Sequence, residues 1–325
     1  SDFSTAAYDA KIPSSTASKT TVGGVTTISN GNLTSSMANG GTTTEHSPAS
    51  ATSGWQATYS RPVFQNINFT NVRIPQGLNA KFVNCTFNGY TSVKITTNIT
   101  NPSTGQTTTD PNASMSWAEQ PSNGGTFTPD GIVTTTTTRI NGRTRTVTTT
   151  TPLDPSNSVG AADGNNLHFN GCTFNDVLTA DVPTGYTAFA DSWEFDGNTV
   201  IANSADPTVT IMAPQTNIEM GGFTAPGANP STLVGVVVAG NIDIRGTAMI
   251  DGSLLVTGNG AQNTTLGYFG STDQSQAVPS RSQLPSAANG SYGHLFFRFN
   301  PARGMPNGIN IPVVATAETS TYTIQ

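Results

Sequence analysis

The chain has 325 residues, a formal net charge of −6, 34% hydrophobic residues and only 10% charged ones. An acidic balance without a large Lys/Arg cluster argues against nucleic acid as a partner, and no apolar run approaches the ~18–20 residues of a membrane span. Thr, Ser, Asn and Gly fill the place of charged and apolar residues, which suits strands and tight turns rather than amphipathic helices.

Residues 1–60 read as a low-complexity N-terminal arm. Ser1 opens the chain without Met, as a processed or trimmed start would, and Asp2–Lys11 has room for a helical turn or two before Pro13. Few residues of this segment are suited to a core. Two readings stand: an arm that adds a strand to a neighbouring subunit, or strands and loops that cover one end of the chain's own fold.

A repeat begins at Phe64. FQNINFTNV (64–72) aligns with FVNCTFNGY (82–90) at an offset of 18, and FNGCTFNDV (169–177) repeats the form. Phe64, Phe82 and Phe169 match, as do Ile67, Cys85 and Cys172, then Phe69, Phe87 and Phe174, then Val72, Tyr90 and Val177. Residues two apart share a face of a strand, so Ile67 with Phe69, Cys85 with Phe87, and Cys172 with Phe174 are expected to point inward, with Phe64, Phe82 and Phe169 also in the core and Asn and Gly at the corners. The pattern predicts an all-β fold, a β-solenoid whose coils occupy 61–90 and 167–261. Cys85 and Cys172 hold the same place in their coils. One rung is about 4.8 Å, within Cα reach of a disulfide, but a pair of buried free thiols fits equally. No metal-site spacing exists between them.

The third copy lies 87 residues beyond the second, so residues 91–166 read as an insertion. It holds a Thr-rich hairpin over 132–151, turned at Asn141-Gly142, the preferred type I′ dipeptide. Pairing about that turn sets Ile140 against Arg143 and Thr138 against Arg145. An isolated ribbon is marginal in water, so this one is expected to lie against its own solenoid or a neighbouring molecule. A Thr-faced ribbon also suits a glycan or an ice-like surface, although a solvated ribbon explains the composition.

Beyond the third copy, Phe189–Val200 places Trp193 and Phe195 on one face of a strand. VTIMA (209–213), NIEM (217–220) and LVGVVV (233–238) read as further rungs. In Val238–Ala261 a β-branched residue recurs every six positions (Val238, Ile244, Ile250, Val256), each with Gly two later. That spacing predicts one short strand and one tight bend per unit, with the branched residue inward. Residues 262–325 comprise a polar loop, a short strand at HLFFRF (294–299) and a tail in which Thr321 and Thr323 alternate with Tyr322 and Ile324. The tail reads as a last strand or as an assembly strand donated to a neighbour.

Catalysis on such a scaffold would need paired carboxylates across a glycosidic bond. The densest acidic cluster is Asp191, Glu194 and Asp196. Glu194 and Asp196 fall on the face opposite Trp193 and Phe195, an arrangement expected of a solvated outer face, so no catalytic residue is assigned. Asp191, Asp196 and Asn198 form a candidate Ca²⁺ set whose spacing does not match an EF-hand loop. His168 should point outward from its coil, and no cofactor motif is present.

The hexad run resembles the repeats of bactofilin-type polymerising β-helices. The Phe-x-x-Cys-Thr-Phe-Asn blocks are similar to those of pentapeptide and right-handed β-helix proteins. Each resemblance covers a short stretch, and what it implies is self-assembly by end-to-end stacking. The expectation is a structural subunit of an extracellular or cell-surface filament, pilus-like appendage or surface layer, whose partners are copies of itself. A carbohydrate-binding or -cleaving β-helix, an adhesin on glycan or surface, is the alternative.

Overall fold

The computed structural model describes residues 3–47, 57–95, 99–100, 107–108, 126–128, 131–140, 143–151, 165–182, 192–197, 199–202, 211–220, 231–244, 248–257 and 295–298. The fold is all-β, and its main sheet grows almost entirely by parallel pairing. Three ladders recur along the chain. The first joins 63–65, Lys81–Val83, Leu167–Asn170, Ser192–Asp196, 217–220 and 241–244. The second joins 26–29, 67–70, 86–88, Thr173–Phe174, Val200–Ala202, 232–234, 248–251 and Leu295–Arg298. The third joins 31–32, 72–74, 91–93, Leu178–Ala180, 211–213, 237–239 and 254–256.

Parallel register stacks like on like, and Phe uses this best. Phe64, Phe82, Phe169 and Phe195 form one column with successive centroids 5.2, 5.1 and 5.0 Å apart and nearly parallel rings. Phe69, Phe87 and Phe174 form a second at 4.7 and 4.5 Å. The columns meet edge-to-face, as between Phe82 and Phe87 at 5.3 Å. Both geometries suit the aromatic quadrupole, and all seven rings are buried.

The corner after each of the first four first-ladder strands needs left-handed backbone. Asn66, Asn84, Gly171 and Gly197 supply it, at φ of 54°, 50°, 62° and 60°. Asn tolerates this region and Gly has no Cβ to clash. Gly171 is also fixed by space, since a Cβ there would meet Asn84 Oδ1 at 2.6 Å.

Cys85 and Cys172 are unbridged and buried. Their thiols donate to the carbonyls of Phe64 and Phe82, and the Thr199 hydroxyl repeats the bond to Phe169. The three side chains thus form one column of donors, each satisfying a carbonyl of the preceding first-ladder strand. In this column the thiols act as small hydrophobes with a weak donor.

The N-terminal segment departs from its reading as a stretch with little core. Val25–Asn32 pairs in parallel with Ile67–Ile74, and Ala17, Ile28, Leu33 and Met37 join the main core. The helix Ala6–Asp9 buries Tyr8 in a second cluster with Val177, Met212, Val236 and Val238.

The period of six is corrected. Residues 238–244 and 248–256 lie in two long strands, Ser231–Ile244 and Ala248–Val256, paired at an offset of 17 (Val238 with Leu255, Ala239 with Val256). Alternation of two, not a bend every six, governs them. Val237 and Ala239 therefore face the main core, while Val238 lies in the second cluster with Tyr8. Val256 packs on the main core from a partly buried position. Ile244 and Ile250 stand in register with Met220 and Leu233.

Within the insertion, Gly131–Ile140 and Arg143–Thr151 pair with Ile140 opposite Arg143 and Thr138 opposite Arg145. With Thr126–Thr128 they form a separate three-stranded sheet. Residues 135–139 and 143–149 are exposed on both faces.

Because Phe82 touches rings above, below and beside it, Phe82→Ala should destabilise the chain by about 3–5 kcal/mol. Urea unfolding checks this, and a loss under about 1 kcal/mol would contradict the packing.

Candidate functional site

In Leu167–Asn170 the buried Phe169 alternates with His168, so His168 lies on the opposite side of the sheet. Register sets it between Lys81 and Glu194, with Asn170 beside Asp196. Over this face lies the strand Thr42–Ser47, which pairs antiparallel with Ala57–Gln65 and brings in Glu45. Only 7% of His168 is exposed. The expectation that Glu194 and Asp196 form a solvated outer face is therefore corrected: both are half-buried beneath the N-terminal strands. His168 does lie opposite the core face, but it is covered.

Six charged side chains meet here. His168 Nδ1 lies 2.8 Å from Glu45 Oε2 and Nε2 lies 3.1 Å from Asp196 Oδ1. Lys81 donates to Glu45 Oε1. Arg61, 1% exposed, donates to Asn166 through both terminal nitrogens and to the Asn79 carbonyl. Its Nε is 3.0 Å from Glu45 Oε2 without hydrogen-bond alignment, so that contact is an ion pair alone. The guanidinium also lies 5.0 Å from the Tyr59 ring centroid, a cation–π distance.

The electrostatics follow from this crowding. Burial works to lower the His168 pKa, but hydrogen bonds to Asp196 and Glu45 and the charges of Glu194 and Asp196 outweigh it, raising it from 6.5 to about 10. Burial works to raise Glu45, but His168 and then Lys81 bring it from 4.5 to about 2. Burial pushes Glu194 up, reinforced by Asp196 and Glu45 and opposed by His168 and Arg61.

His168, Glu194 and Asp196 each offer a ligand atom, all within 4.8 Å of one another. Their chemistry suits a clamp better than a cation site. A doubly donating imidazolium has no lone pair to give, and Arg61 and Lys81 add positive charge. Of the candidate Ca²⁺ set, Asp196 is engaged by His168 and Asn170, while Asp191 and Asn198 lie outside the described residues. Thr321, Tyr322, Thr323 and Ile324 also lie outside them.

A second network ties the N-terminal helix to the third ladder. Asp9 accepts from Arg73 at 2.7 Å and Ser92 at 2.7 Å, and lies 3.1 Å from Lys94. Arg73 also donates to the Asp9, Ile12 and Pro13 carbonyls and to Asn32 Oδ1. Lys94 pairs with Asp181 at 2.9 Å. Burial works to raise the Asp9 carboxyl, but Arg73, Ser92 and Lys94 outweigh it and bring it to about 2.

Sequence reasoning missed Glu45, Arg61, Lys81, Asp9 and Arg73, because their partners lie far away in the chain. One signal was available. In a chain with 10% charged residues, those embedded in strand-like stretches invite a search for partners.

No protein-family model, curated protein or solved structure matches this chain.

A lowered Glu45 stabilises the fold fully above 4.5 and loses that contribution as pH falls towards 2. A raised His168 stabilises it fully below 6.5 and loses that contribution as pH rises through 10. The clamp is therefore complete between 4.5 and 6.5. Glu45→Gln should lower the urea midpoint most in that window and progressively less outside it. A difference from wild type that is the same at every pH would contradict the assignment.

Proposed function

We propose that the three ladders close into a β-solenoid and that the protein is a structural subunit of an extracellular filament, pilus-like appendage or surface layer. It assembles by stacking of solenoid ends and by strand exchange with other copies. The observation that carries this reading is the repetition itself. The second ladder runs in parallel steps from Val25–Asn32 to Leu295–Arg298, so the last rung among the described residues has the same kind of edge that a next subunit could continue. At its first end Ser18–Val22 pairs only with Val25–Asn32 among the described strands. All its residues are exposed, Val22 at 77%. Open strand edges template further pairing. A low-charge composition rich in Thr, Ser, Asn and Gly, with few Lys, supports the extracellular location.

Val25–Asn32 is used within the chain; in the proposed strand exchange Ser18–Val22 is the acceptor edge and Thr321–Ile324 the donor.

A specific observation favours a second reading, a carbohydrate-cleaving β-helix. Burial raises the Glu194 carboxyl, and an oxygen of Asp196 lies within 4.8 Å of it; two neighbouring carboxyls of different acidity are the pairing that glycoside hydrolysis uses. Release of reducing ends from polysaccharides by wild type, and not by Glu194→Gln, would support it.

Electron microscopy at rising protein concentration tests the structural reading. Filaments should form above a threshold, and removal of residues 316–325 should abolish them while leaving the monomer folded. Monomers at every concentration would overturn self-assembly. Unchanged filaments from the shortened chain would overturn the role of the tail.

A further inference from the structure

The ribbon of Gly131–Ile140 and Arg143–Thr151 is opposite in charge to the chain that carries it. Residues 131–151 include Arg139, Arg143 and Arg145 and no acidic or aromatic residue. All three arginines are exposed. The ion pairs among the described residues use Arg61, Arg73, Lys81, Lys94 and His168, and none of these three. Removing them from the 13 Lys and Arg residues leaves ten against 19 Asp and Glu, a balance of −9 for the rest of the chain.

Register sorts the ribbon's side chains into two faces. On one, Arg143 stands at the turn end, Arg145 lies opposite Thr138, and Val147 lies opposite Thr136. The two arginines are two residues apart on one strand, about 7 Å. Thr136, Thr138 and Val147 are exposed beside them, Val147 at 40%. Arg139 is on the other face with Thr137 and Thr146, whose hydroxyls lie 3.4 Å apart. Arg143–Thr151 is also an outer strand of its three-stranded sheet among the described strands, so its free edge offers peptide N–H and C=O groups next to the arginines.

Each group on the Arg143 face suits a different part of a ligand. A guanidinium fork grips a carboxylate through two parallel hydrogen bonds. A threonine hydroxyl both donates and accepts, as a sugar hydroxyl does. Val147 offers a small apolar surface that fits the C–H face of a sugar ring. An acidic sugar combines all three features. Nucleic acid is a poorer match. Three arginines neutralise few phosphates, no aromatic side chain of the ribbon is there to stack a base, and the balance of −9 elsewhere opposes a densely charged backbone.

We propose that the Arg143/Arg145 face of the ribbon binds a polysaccharide of uronic acids. Arg143 and Arg145 hold its carboxylates, and Thr136 and Thr138 hold ring hydroxyls. Charge complementarity selects this occupant: the strip is cationic on a chain that is otherwise strongly acidic. The site needs neither self-assembly nor cleavage at Glu194, because its side chains are exposed on a single copy of the chain.

Chromatography of the full chain on immobilised polygalacturonate tests this. With a net charge of −6 the protein as a whole is repelled by such a matrix, so retention at about 50 mM salt marks a local cationic site. Wild type should be retained, released by soluble oligogalacturonate, and washed off by sodium chloride at about 0.5 M. It should pass through a methyl-esterified matrix, whose carboxylates are blocked. Arg143→Gln with Arg145→Gln should abolish retention. Arg143→Lys with Arg145→Lys keeps the charge and loses the fork. Thr136→Val with Thr138→Val keeps the shape and strand propensity and loses the hydroxyls. Each of these two pairs should weaken binding by about fivefold or more. Circular dichroism and the thermal midpoint establish that the variants fold. Wild type alone keeps the test decisive, since a neutral galactose oligosaccharide at the same concentration should not release it.

Passage of wild type through the matrix, or equal retention after esterification, would overturn the site. So would a glutamine variant retained like wild type. If the lysine and valine variants bind as wild type does, and duplex DNA at equal charge concentration releases the protein as well as oligogalacturonate, the ribbon is a general anion-binding strip and the glycan assignment falls. Each of these results leaves self-assembly standing, and a protein that never assembles leaves the glycan site standing.

Discussion

Parallel pairing in register is the constraint on which the rest of this structure depends. It places each residue over its counterpart in the next strand, about 4.8 Å away, so any preference or penalty is repeated along the stack. Aromatic rings gain from this. Phe64, Phe82, Phe169 and Phe195 stack at 5.0–5.2 Å, close to the strand spacing itself. Corners gain as well, because Asn66, Asn84, Gly171 and Gly197 all adopt the left-handed backbone that the same bend demands. Even the cysteines follow the rule, as Cys85 and Cys172 repeat one hydrogen bond that Thr199 continues with a hydroxyl.

Charge is where the same constraint becomes a penalty. A ladder that stacks Lys81, His168 and Glu194 in one register line cannot leave every group to water and chance. The N-terminal segment resolves one end of this line by laying Glu45 across Lys81 and His168, with Arg61 beneath. A second clamp, Asp9 with Arg73 and Lys94, fastens the helix of the same segment to the third ladder. Breaking a buried pair by removing one partner typically costs about 3–5 kcal/mol, far more than an exposed pair contributes. The segment is thus held by strand pairing of Val25–Asn32, by ion pairs at two places, and by apolar packing of Ile28, Leu33, Met37 and Tyr8.

What was legible in the sequence was local or strictly repeated. The all-β character followed from composition, and the offset of 18 put Phe64 with Phe82 and Phe69 with Phe87, which are partners in the ladders. The turn at Asn141-Gly142 carried enough information to set Ile140 against Arg143. The hexads of 238–256 misled, because in a Gly- and Val-rich stretch a period of six coincides with alternation by two. The real coil offset there, 17, is spread over strands with different residues. The clamp was illegible for another reason. Glu45 and His168 are 123 positions apart, and their meeting depends on an antiparallel strand laid across a parallel ladder, which no spacing encodes.

The central claim is that the Phe-bearing strands form one in-register stack that unfolds as a unit. Native-state amide hydrogen exchange, resolved to Lys81–Val83, Leu167–Asn170 and Ser192–Asp196, tests it most directly. These strands lie far apart in the chain, yet they should share a single high opening free energy that matches global unfolding. Fast or unequal exchange in any one of them, with the others protected, would contradict the stack.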